Sequence, residues 1–216
     1  MLRITPDLLL RAYALGVFPM AESRHDKELY WIDPKQRGVL PLDRFHVPHS
    51  VRKAARRRKF EIRVDTAFGE VMEGCAESGP RRPDSWINDE ILRLYTALHE
   101  AGHAHSVEAW QNDRLVGGLY GVTLGAAFFG ESMFSRESDA SKVALLHLVA
   151  RLKCGGFELL DTQFVTKHLA RFGVIEIPRQ RYQEMLQRAI SKQADFYCEV
   201  PDSAVEELMQ SSTQIS

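Results

Sequence analysis

The chain has 216 residues, of which 44% are hydrophobic and 26% charged, and its formal net charge is −1. This composition is typical of a globular protein of one or two domains, and no apolar run approaches the about 20 residues of a membrane span, so we expect no membrane association. A nearly neutral chain has no global attraction for nucleic acid, so any such affinity must come from a local basic patch.

The first residues lack the apolar core of a signal peptide, and the three cysteines form no C-x-x-C pair. Both features predict a reduced, cytoplasmic protein. Two of the cysteines, Cys154 and Cys198, have no obvious histidine partner in the sequence, and we interpret them as buried structural residues.

Residues 1–45 predict a small N-terminal lobe that is broken up by prolines. Its helix is expected to begin at the N-cap Thr5 and to end at Gly16. The apolar face of this helix is predicted to consist of Leu8, Ala12 and Leu15. Short strands are expected at residues 30–32 and 39–42.

Residues 52–59 carry six cations and no acid. On a helix the exposed cations share one face, which is formed by Arg52, Lys53, Arg56 and Arg57. Small apolar side chains pack on the other face. A solvated surface is the alternative interpretation, but this charge density favours an anionic partner, foremost a phosphate backbone.

The following segment, 46–200, alternates strands with helices and predicts a second domain. We expect Thr66 to cap one helix, Asn88 to cap another that ends at Gly102, and Asn112 and Asp113 to form the turn of a hairpin. Residues 201–216 are expected to form a polar tail. An antiparallel meander followed by helix, strand, helix and strand predicts an α+β fold with a mostly antiparallel mixed sheet.

This arrangement resembles the N-acyltransferase (GNAT-like) fold of the acetyl-CoA-dependent enzymes. In those enzymes a glycine-rich loop holds the pyrophosphate of coenzyme A. The matching segment here, residues 137–142, has no glycine and two acids. We therefore expect no bound coenzyme A.

The stretch 130–136, with the sequence GESMFSR, is the first candidate site. It follows the predicted strand 126–129 and precedes a helix, so its polar side chains are expected at a strand end. Gly130 permits close approach of a ligand. The alternative is that these polar residues only cap the next helix.

The segment Asp161-Thr162-Gln163 is the second candidate site, because it follows the mostly apolar strand predicted at 157–160. Asp161 is either a helix N-cap or a site carboxylate. If the strand continues, Asp161 and Gln163 point to one face and can address one ligand together with Glu131 from a neighbouring strand.

Residues 99–103 match the H-E-x-x-H pattern of zinc proteases. Zinc binding would require both histidines on one helix face, whereas Gly102 is expected to end the helix before His103. We therefore predict no metal site, and we keep an H-E-x-x-H metallopeptidase as an alternative function.

Several longer blocks carry a family resemblance, in the order RAYALGVFP from residue 11, HEAGHAHSV from 99, VGGLYGV from 116, GESMFSR from 130, LLDTQ from 159 and EIPR from 176. With these blocks the chain resembles the leucyl/phenylalanyl-tRNA–protein transferase family. The resemblance implies a two-lobed monomer that transfers Leu or Phe, and sometimes Met, from Leu-tRNA or Phe-tRNA to the N-terminal Arg or Lys of proteins. This reaction is expected to need no cofactor, because the tRNA ester is already activated. The added residue marks the acceptor for N-degron proteolysis.

The resemblance also implies roles for individual residues. Catalysis falls to Glu131, Asp161 and Gln163, with Asp161 orienting Gln163 or pairing, like Glu131, with the cationic acceptor. Trp31 is expected near the terminal adenosine. The aminoacyl pocket is expected to consist of Trp86, Leu119, Phe128, Gly130, Ser132, Leu148, Leu152 and Leu160. The basic face of residues 52–57 is expected to bind tRNA, and a non-catalytic RNA- or degron-binding adaptor on the same fold stays an alternative.

Overall fold

A computed structural model describes residues 4–77 and 84–211, so residues 78–83 and the last part of the predicted tail lie outside the described residues. The helices are α1 (Pro6–Ala14), α2 (His49–Arg56), α3 (Phe68–Ala76), α4 (Asp89–Glu100), α5 (Ala140–Cys154), α6 (Lys167–Ala170), α7 (Arg179–Ile190) and α8 (Asp202–Ser211). The strands are β1 (Phe18–Met20), β2 (Tyr30–Ile32), β3 (Gln36–Val39), β4 (Glu61–Val64), β5 (Ala104–Gln111), β6 (Arg114–Leu124), β7 (Ala127–Ser135), β8 (Leu159–Gln163) and β9 (Ile175–Pro178).

A seven-stranded sheet in the order β4-β5-β6-β7-β8-β3-β9 forms the centre of the molecule. All neighbouring pairs are antiparallel except β7 and β8, which run parallel. The predicted α+β class with a mostly antiparallel mixed sheet is therefore confirmed. Strands β1 and β2 form a separate two-stranded sheet.

Strand β3 comes from the segment predicted as the N-terminal lobe, yet it lies inside the large sheet between β8 and β9. It ends at Val39, before most of the strand predicted at 39–42. The physical reason is Pro41, which has no N–H for a ladder and is followed by the 3-10 turn Leu42–Arg44.

Local signals at several helix and turn boundaries are confirmed. The Thr5 hydroxyl accepts from the Leu8 N–H at 3.2 Å, and the Asn88 side chain accepts from the Ile91 N–H at 2.9 Å. Asn112 and Asp113 both have positive φ, as the two-residue turn between β5 and β6 requires.

Two local predictions are wrong. The buried face of α1 is formed by Leu9 and Tyr13, whereas Leu8 is 45% and Leu15 67% exposed. Thr66 does not cap α3: its backbone and side chain both bond to the buried carboxylate of Glu108, which reaches over from β5. In both cases a distant partner overrides the local pattern.

Two apolar layers cover the sheet. Helix α5 packs on one face, and α1, α3, α4 and α7 lie on the other. Helix α8 packs on α5 through Val205, Leu208 and Met209, so residues 202–211 of the predicted polar tail form a docked helix. These three apolar residues follow a spacing of three and four, which is the stripe of an amphipathic helix. None of the helices within the described ranges combines the length and apolar character of a membrane span.

Candidate active site

The sequence predicted that the stretch 130–136 follows the end of a strand. Strand β7 instead continues to Ser135, so most of this stretch lies within the strand. The pairing with β6 passes from Tyr120–Ser132 directly to Gly121–Gly130, so Glu131 is the extra residue of a β-bulge. Bulges redirect side chains at functional sites. This bulge directs the Glu131 carboxylate towards α1 and α4, where it accepts hydrogen bonds from two tyrosines.

Strand β8 runs through Asp161 to Gln163, so Asp161 is a strand residue and not a helix N-cap. Helix α6 is capped instead by Thr166, whose hydroxyl accepts from the Leu169 N–H at 3.1 Å. Gln163 has a φ of +56°, which turns the chain at the end of the strand. The two candidate stretches meet because β7 and β8 are neighbours in the sheet.

Three side chains donate hydrogen bonds to the Glu131 carboxylate. The Tyr13 hydroxyl lies 2.7 Å from Oε1, the Tyr95 hydroxyl 3.2 Å from Oε2, and the Gln163 Nε2 3.2 Å from Oε1. Burial raises the pKa of Glu131 to about 7, and the bond from Tyr13 opposes this shift while the charge of Asp161 adds to it. The carboxyl group therefore changes its charge near neutral pH.

Asp161 forms a closed ion pair with Arg37. The Nη2 of Arg37 lies 2.7 Å from Oδ2, and the pair is at most 1% exposed. Tyr182 donates to Oδ2 at 2.7 Å, and the backbone N–H of Gln163 donates to Oδ1 at 2.8 Å. Asp161 is thus placed to hold Gln163. Direct contact with a cationic acceptor is incompatible with this arrangement, because Asp161 is fully buried and each of its two oxygens already accepts from at least two protein donors.

The guanidinium group of Arg37 packs over two aromatic rings. The group lies 4.6 Å from the Phe18 ring centroid and 4.5 Å from that of Tyr182. Its Nη1 donates to the Gly16 carbonyl at 2.9 Å. A planar cation between two aromatic faces has little freedom to reorient, so it fixes the position of Asp161.

A cavity of about 330 Å³ opens beside Glu131 and Gln163. Six of the residues predicted for the aminoacyl pocket line it, and these are Trp86, Leu119, Gly130, Ser132, Leu148 and Leu160. Its wall is otherwise mostly apolar and includes residues that were not predicted for the aminoacyl pocket, among them Phe18, Met20, Met133, Leu145, Phe164 and Leu169. Such a volume is at the lower end of small-ligand pockets, about 300–1,000 Å³.

Two residues predicted for the aminoacyl pocket lie elsewhere, and so does Trp31, which was expected near the terminal adenosine. Phe128 and Leu152 are fully buried in the core, where the Phe128 ring stacks on Phe196 at 5.7 Å. Their apolar character therefore serves packing behind the cavity. Trp31 is 41% exposed and pairs with Pro19, which stands between the cavity residues Phe18 and Met20. Because successive side chains of a strand point to opposite faces, Trp31 lies on the face away from Phe18 and Met20, and it does not line the cavity.

Sequence reasoning missed the residues that hold the site from behind. The sequence indicated no site role for Tyr13, Arg37 or Tyr95. For the tyrosines a signal existed, since a buried hydroxyl needs a hydrogen-bond partner. No local signal identified Arg37, because its partner depends on where β3 enters the sheet.

Helix α2 presents the predicted basic face. Val51 and Ala54 of this helix are buried. A depression of the surface is lined by His49 and by the four cations Arg52, Lys53, Arg56 and Arg57. Arg56 also contacts Glu206 of α8 at 2.9 Å, a pair in which both side chains are largely exposed. The four cations that were predicted to act together therefore lie on one surface.

The H-E-x-x-H pattern does not lie on one helix. Helix α4 ends at Glu100, and Gly102 has a φ of +78°, so the prediction that Gly102 separates the two histidines is confirmed. The His99 ring stacks on Phe68, and its Nδ1 lies 2.8 Å from the Ala104 carbonyl oxygen. Within residues 4–77 and 84–211, no three His, Cys, Asp or Glu residues form a group that could hold a metal ion.

Comparisons with known proteins agree on one family. The sequence model described as leucyl/phenylalanyl-tRNA protein transferase matches residues 39–187, and that of the N-terminal domain of the same family matches residues 3–35. A relative from Paramagnetospirillum magneticum (strain ATCC 700264 / AMB-1) is 62% identical over 193 residues, covering 89% of this chain and 92% of the relative. One from Rhodopseudomonas palustris (strain BisB18) is 60% identical, covering 89% and 84%. Both are named leucyl/phenylalanyl-tRNA–protein transferase.

Among solved structures, a conserved protein of unknown function from Staphylococcus epidermidis ATCC 12228 matches with a TM-score of 0.41 at 11% identity. The match covers 82% of this chain and 66% of that one.

Proposed function

Because the chain belongs to the leucyl/phenylalanyl-tRNA–protein transferase family and is an aminoacyltransferase, we propose that its cavity receives the leucyl or phenylalanyl group of an aminoacyl-tRNA. Methionyl is a third donor group. The acceptor is a protein that begins with Arg or Lys, and the added residue marks that protein for N-degron proteolysis.

The reaction exchanges an ester for an amide. The α-amine nitrogen of the acceptor attacks the aminoacyl carbonyl carbon, a C–N bond forms, and the bond from that carbon to the ribose oxygen breaks. The proton that leaves the amine ends on the ribose oxygen. The attacking amine must be neutral, so a hydrogen-bond acceptor beside it favours the reaction.

The observation that carries this proposal is the contact between Glu131 and Gln163 at the wall of an apolar cavity. Gln163 donates its Nε2 to Glu131 at 3.2 Å, which leaves its carbonyl oxygen to accept from the attacking amine. Asp161 holds the Gln163 backbone, and Arg37 holds Asp161. In this arrangement Asp161 is a positioning residue and Gln163 touches the reacting atoms.

The cavity wall accounts for the donor. Leucyl, phenylalanyl and methionyl side chains are neutral and fit an apolar surface such as that of Leu119, Leu148 and Leu160. Charged side chains would lose their hydration there without gaining a partner. An apolar pocket distinguishes a single methylene by only about 1–3 kcal/mol, so these three donors are expected to be accepted together.

Glu131 accounts for the acceptor, because it is a carboxylate that borders the cavity. When ionised it can form a charge-assisted hydrogen bond with the guanidinium or ammonium group of the acceptor. The body of the tRNA is assigned to the basic face of α2, where Lys53, Arg56 and Arg57 are exposed.

The test incubates the protein with tRNA carrying labelled leucine and with peptides that begin with Arg, Lys, Asp or Ala. We expect label on the Arg and Lys peptides. Gln163→Ala should lower transfer by roughly 100-fold while tRNA binding persists. The matched control is Gln180→Ala, which removes an exposed amide on α7.

Each other outcome changes the assignment. Label on the Asp peptide alone would reject the proposed acceptor. Binding of Leu-tRNA without transfer to any peptide would favour the non-catalytic adaptor. Peptide cleavage that stops on addition of a chelator would favour the metallopeptidase.

A further inference from the structure

Two of the three cysteines are neighbours in space, although 43 residues separate them in the chain. Cys154 is the last residue of α5 and is exposed, and Cys198 is partly exposed, whereas the sequence predicted two buried structural residues. The third cysteine, Cys75, is fully buried in α3. The pair therefore differs from Cys75 in its access to solutes.

The segment that carries Cys198 is held along the last turn of α5 by hydrogen bonds that involve its backbone. The Nη1 of Arg151 donates to the carbonyl oxygens of Phe196 at 2.8 Å and of Cys198 at 3.0 Å. The Asp195 N–H donates to the Gly155 carbonyl at 2.9 Å. Three hydrogen bonds thus hold the segment in register with the helix end.

The thiols contact each other's segments reciprocally. Cys154 Sγ lies 3.3 Å from the carbonyl oxygen of Glu199, the residue after Cys198. Cys198 Sγ lies 3.5 Å from the carbonyl oxygen of Arg151, one turn before Cys154. Burial first and the neighbouring Cys154 thiol second raise the pKa of Cys198 to about 11.

We propose that Cys154 and Cys198 form a thiol–disulfide modification site that is closed by a low-molecular-weight disulfide such as oxidised glutathione. The exposed Cys154 thiolate attacks one sulfur of oxidised glutathione and releases one glutathione thiolate. The Cys198 thiolate then attacks the Cys154 sulfur of the mixed disulfide and releases the second glutathione. Two protein thiols are oxidised to one disulfide, and one glutathione disulfide is reduced to two thiols, which take up the two protons.

The Cys154–Cys198 disulfide would fix the segment that carries Cys198, and this segment packs behind the cavity. Phe196 stacks on His105 at 4.1 Å and on Phe128 at 5.7 Å, and the Tyr197 hydroxyl donates to Asp65 at 2.7 Å. Closing the disulfide fixes these contacts to α5, which carries the cavity residues Leu145 and Leu148. The site is independent of the proposed transfer reaction, because none of its atoms borders the cavity.

The experiment treats the folded full chain with oxidised glutathione at mildly alkaline pH. We expect the number of free thiols, measured after denaturation, to fall from three to one. The intact mass should fall by two hydrogen atoms. Peptide mapping without reductant should join the peptide that contains Cys154 to the one that contains Cys198, and dithiothreitol should restore both thiols. Amide hydrogen exchange at Asp195 should be slower in the oxidised protein than in the reduced protein.

Two single variants provide matched controls. Cys75→Ser should still form the link, whereas Cys198→Ser should stop at a stable mixed disulfide between Cys154 and glutathione. The proposal is overturned if the parent chain also stops at mixed disulfides, if all its thiols stay free, or if it forms covalent dimers through Cys154. Unchanged hydrogen exchange at Asp195 in the linked protein would overturn the role assigned to the link.

Discussion

Arg37 and Asp161 join the N-terminal part of the chain to the strand that carries Gln163, through three N–H···O contacts of 3.0, 3.1 and 2.7 Å. The pair is closed to solvent and lies between two aromatic rings. An ion pair of this kind is costly to break, because the charge that is left behind has no water to solvate it. Both the stability of the fold and the position of Gln163 therefore depend on this ion pair.

We expect Asp161→Asn to lower the free energy of unfolding by about 3–5 kcal/mol, since it leaves the Arg37 cation buried and unpaired. Urea unfolding followed by circular dichroism measures this decrease. Arg37→Met should be similarly destabilising. The double variant should be more stable than the sum of the two decreases predicts, because neither charge is then unpaired. Additive decreases would show that the pair contributes no coupling energy.

The pKa of Glu131 predicts a pH dependence of stability. Burial raises this pKa from 4.5 to about 7, so the folded state binds more protons than the unfolded state between those values. The free energy of unfolding should therefore fall as the pH rises through this window. Such a shift corresponds to at most roughly 3 kcal/mol, less where water in the cavity screens the carboxylate.

Glu131→Gln removes this titration, so the parent should lose stability relative to the variant between pH 5 and pH 8. Denaturant unfolding at several pH values measures the difference. Glu158→Gln is the control, because the pKa of this exposed acid is lowered by its hydrogen bond from Lys192, and its effect should appear only at more acidic pH. Parallel pH profiles for the parent and Glu131→Gln would contradict the assignment.

Gly130 offers a way to narrow the cavity without disturbing the fold. An added Cβ would lie 3.5 Å from the Asp161 carbonyl oxygen and 3.8 Å from Leu160 Cδ1, which are ordinary contacts. Gly130→Ala should therefore remain folded and should reduce phenylalanyl transfer relative to leucyl transfer, by roughly 10-fold or more. The measurement is competition between the two charged tRNAs. Gly69→Ala, where the added atom meets nothing within 4 Å, should leave the ratio unchanged.

The basic face of α2 should determine how tRNA binding depends on salt. Replacing Arg57 with Ala should weaken binding and lower the log–log slope against salt concentration by about 0.7–0.9 for each tRNA phosphate that the side chain neutralises. Transfer at saturating tRNA should stay near the parent rate. Arg63→Ala on β4 removes the same charge from a side chain that is bonded to Glu61, and it should keep the parental slope. Equal slopes for the parent, Arg57→Ala and Arg63→Ala would show that the basic face of α2 is a solvated surface that does not bind tRNA.

Features that are encoded within a few residues could be predicted from the sequence. The cap at Asn88, the stop at Gly102 and the turn at Asn112 and Asp113 each depend on a side chain and the backbone next to it. Local bonding of this kind is independent of where the rest of the chain packs. The family blocks, read in order, likewise identified the region of Glu131 and Gln163.

The partners of the buried polar groups depend on how distant segments pack and could not be predicted from the sequence. Glu131 meets Tyr13 across 118 positions of the chain, and Arg37 meets Asp161 across 124. The sequence left two alternatives for Asp161, a helix cap or a site carboxylate. Strand β3 lies between β8 and β9 and places Arg37 against Asp161, so the carboxylate forms a buried ion pair and caps no helix. A buried charge or hydroxyl requires a partner, but its own sequence neighbourhood does not encode which distant segment will supply one. That choice belongs to the packing of the sheet, where β3 crosses from the first 45 residues into the strands of the site.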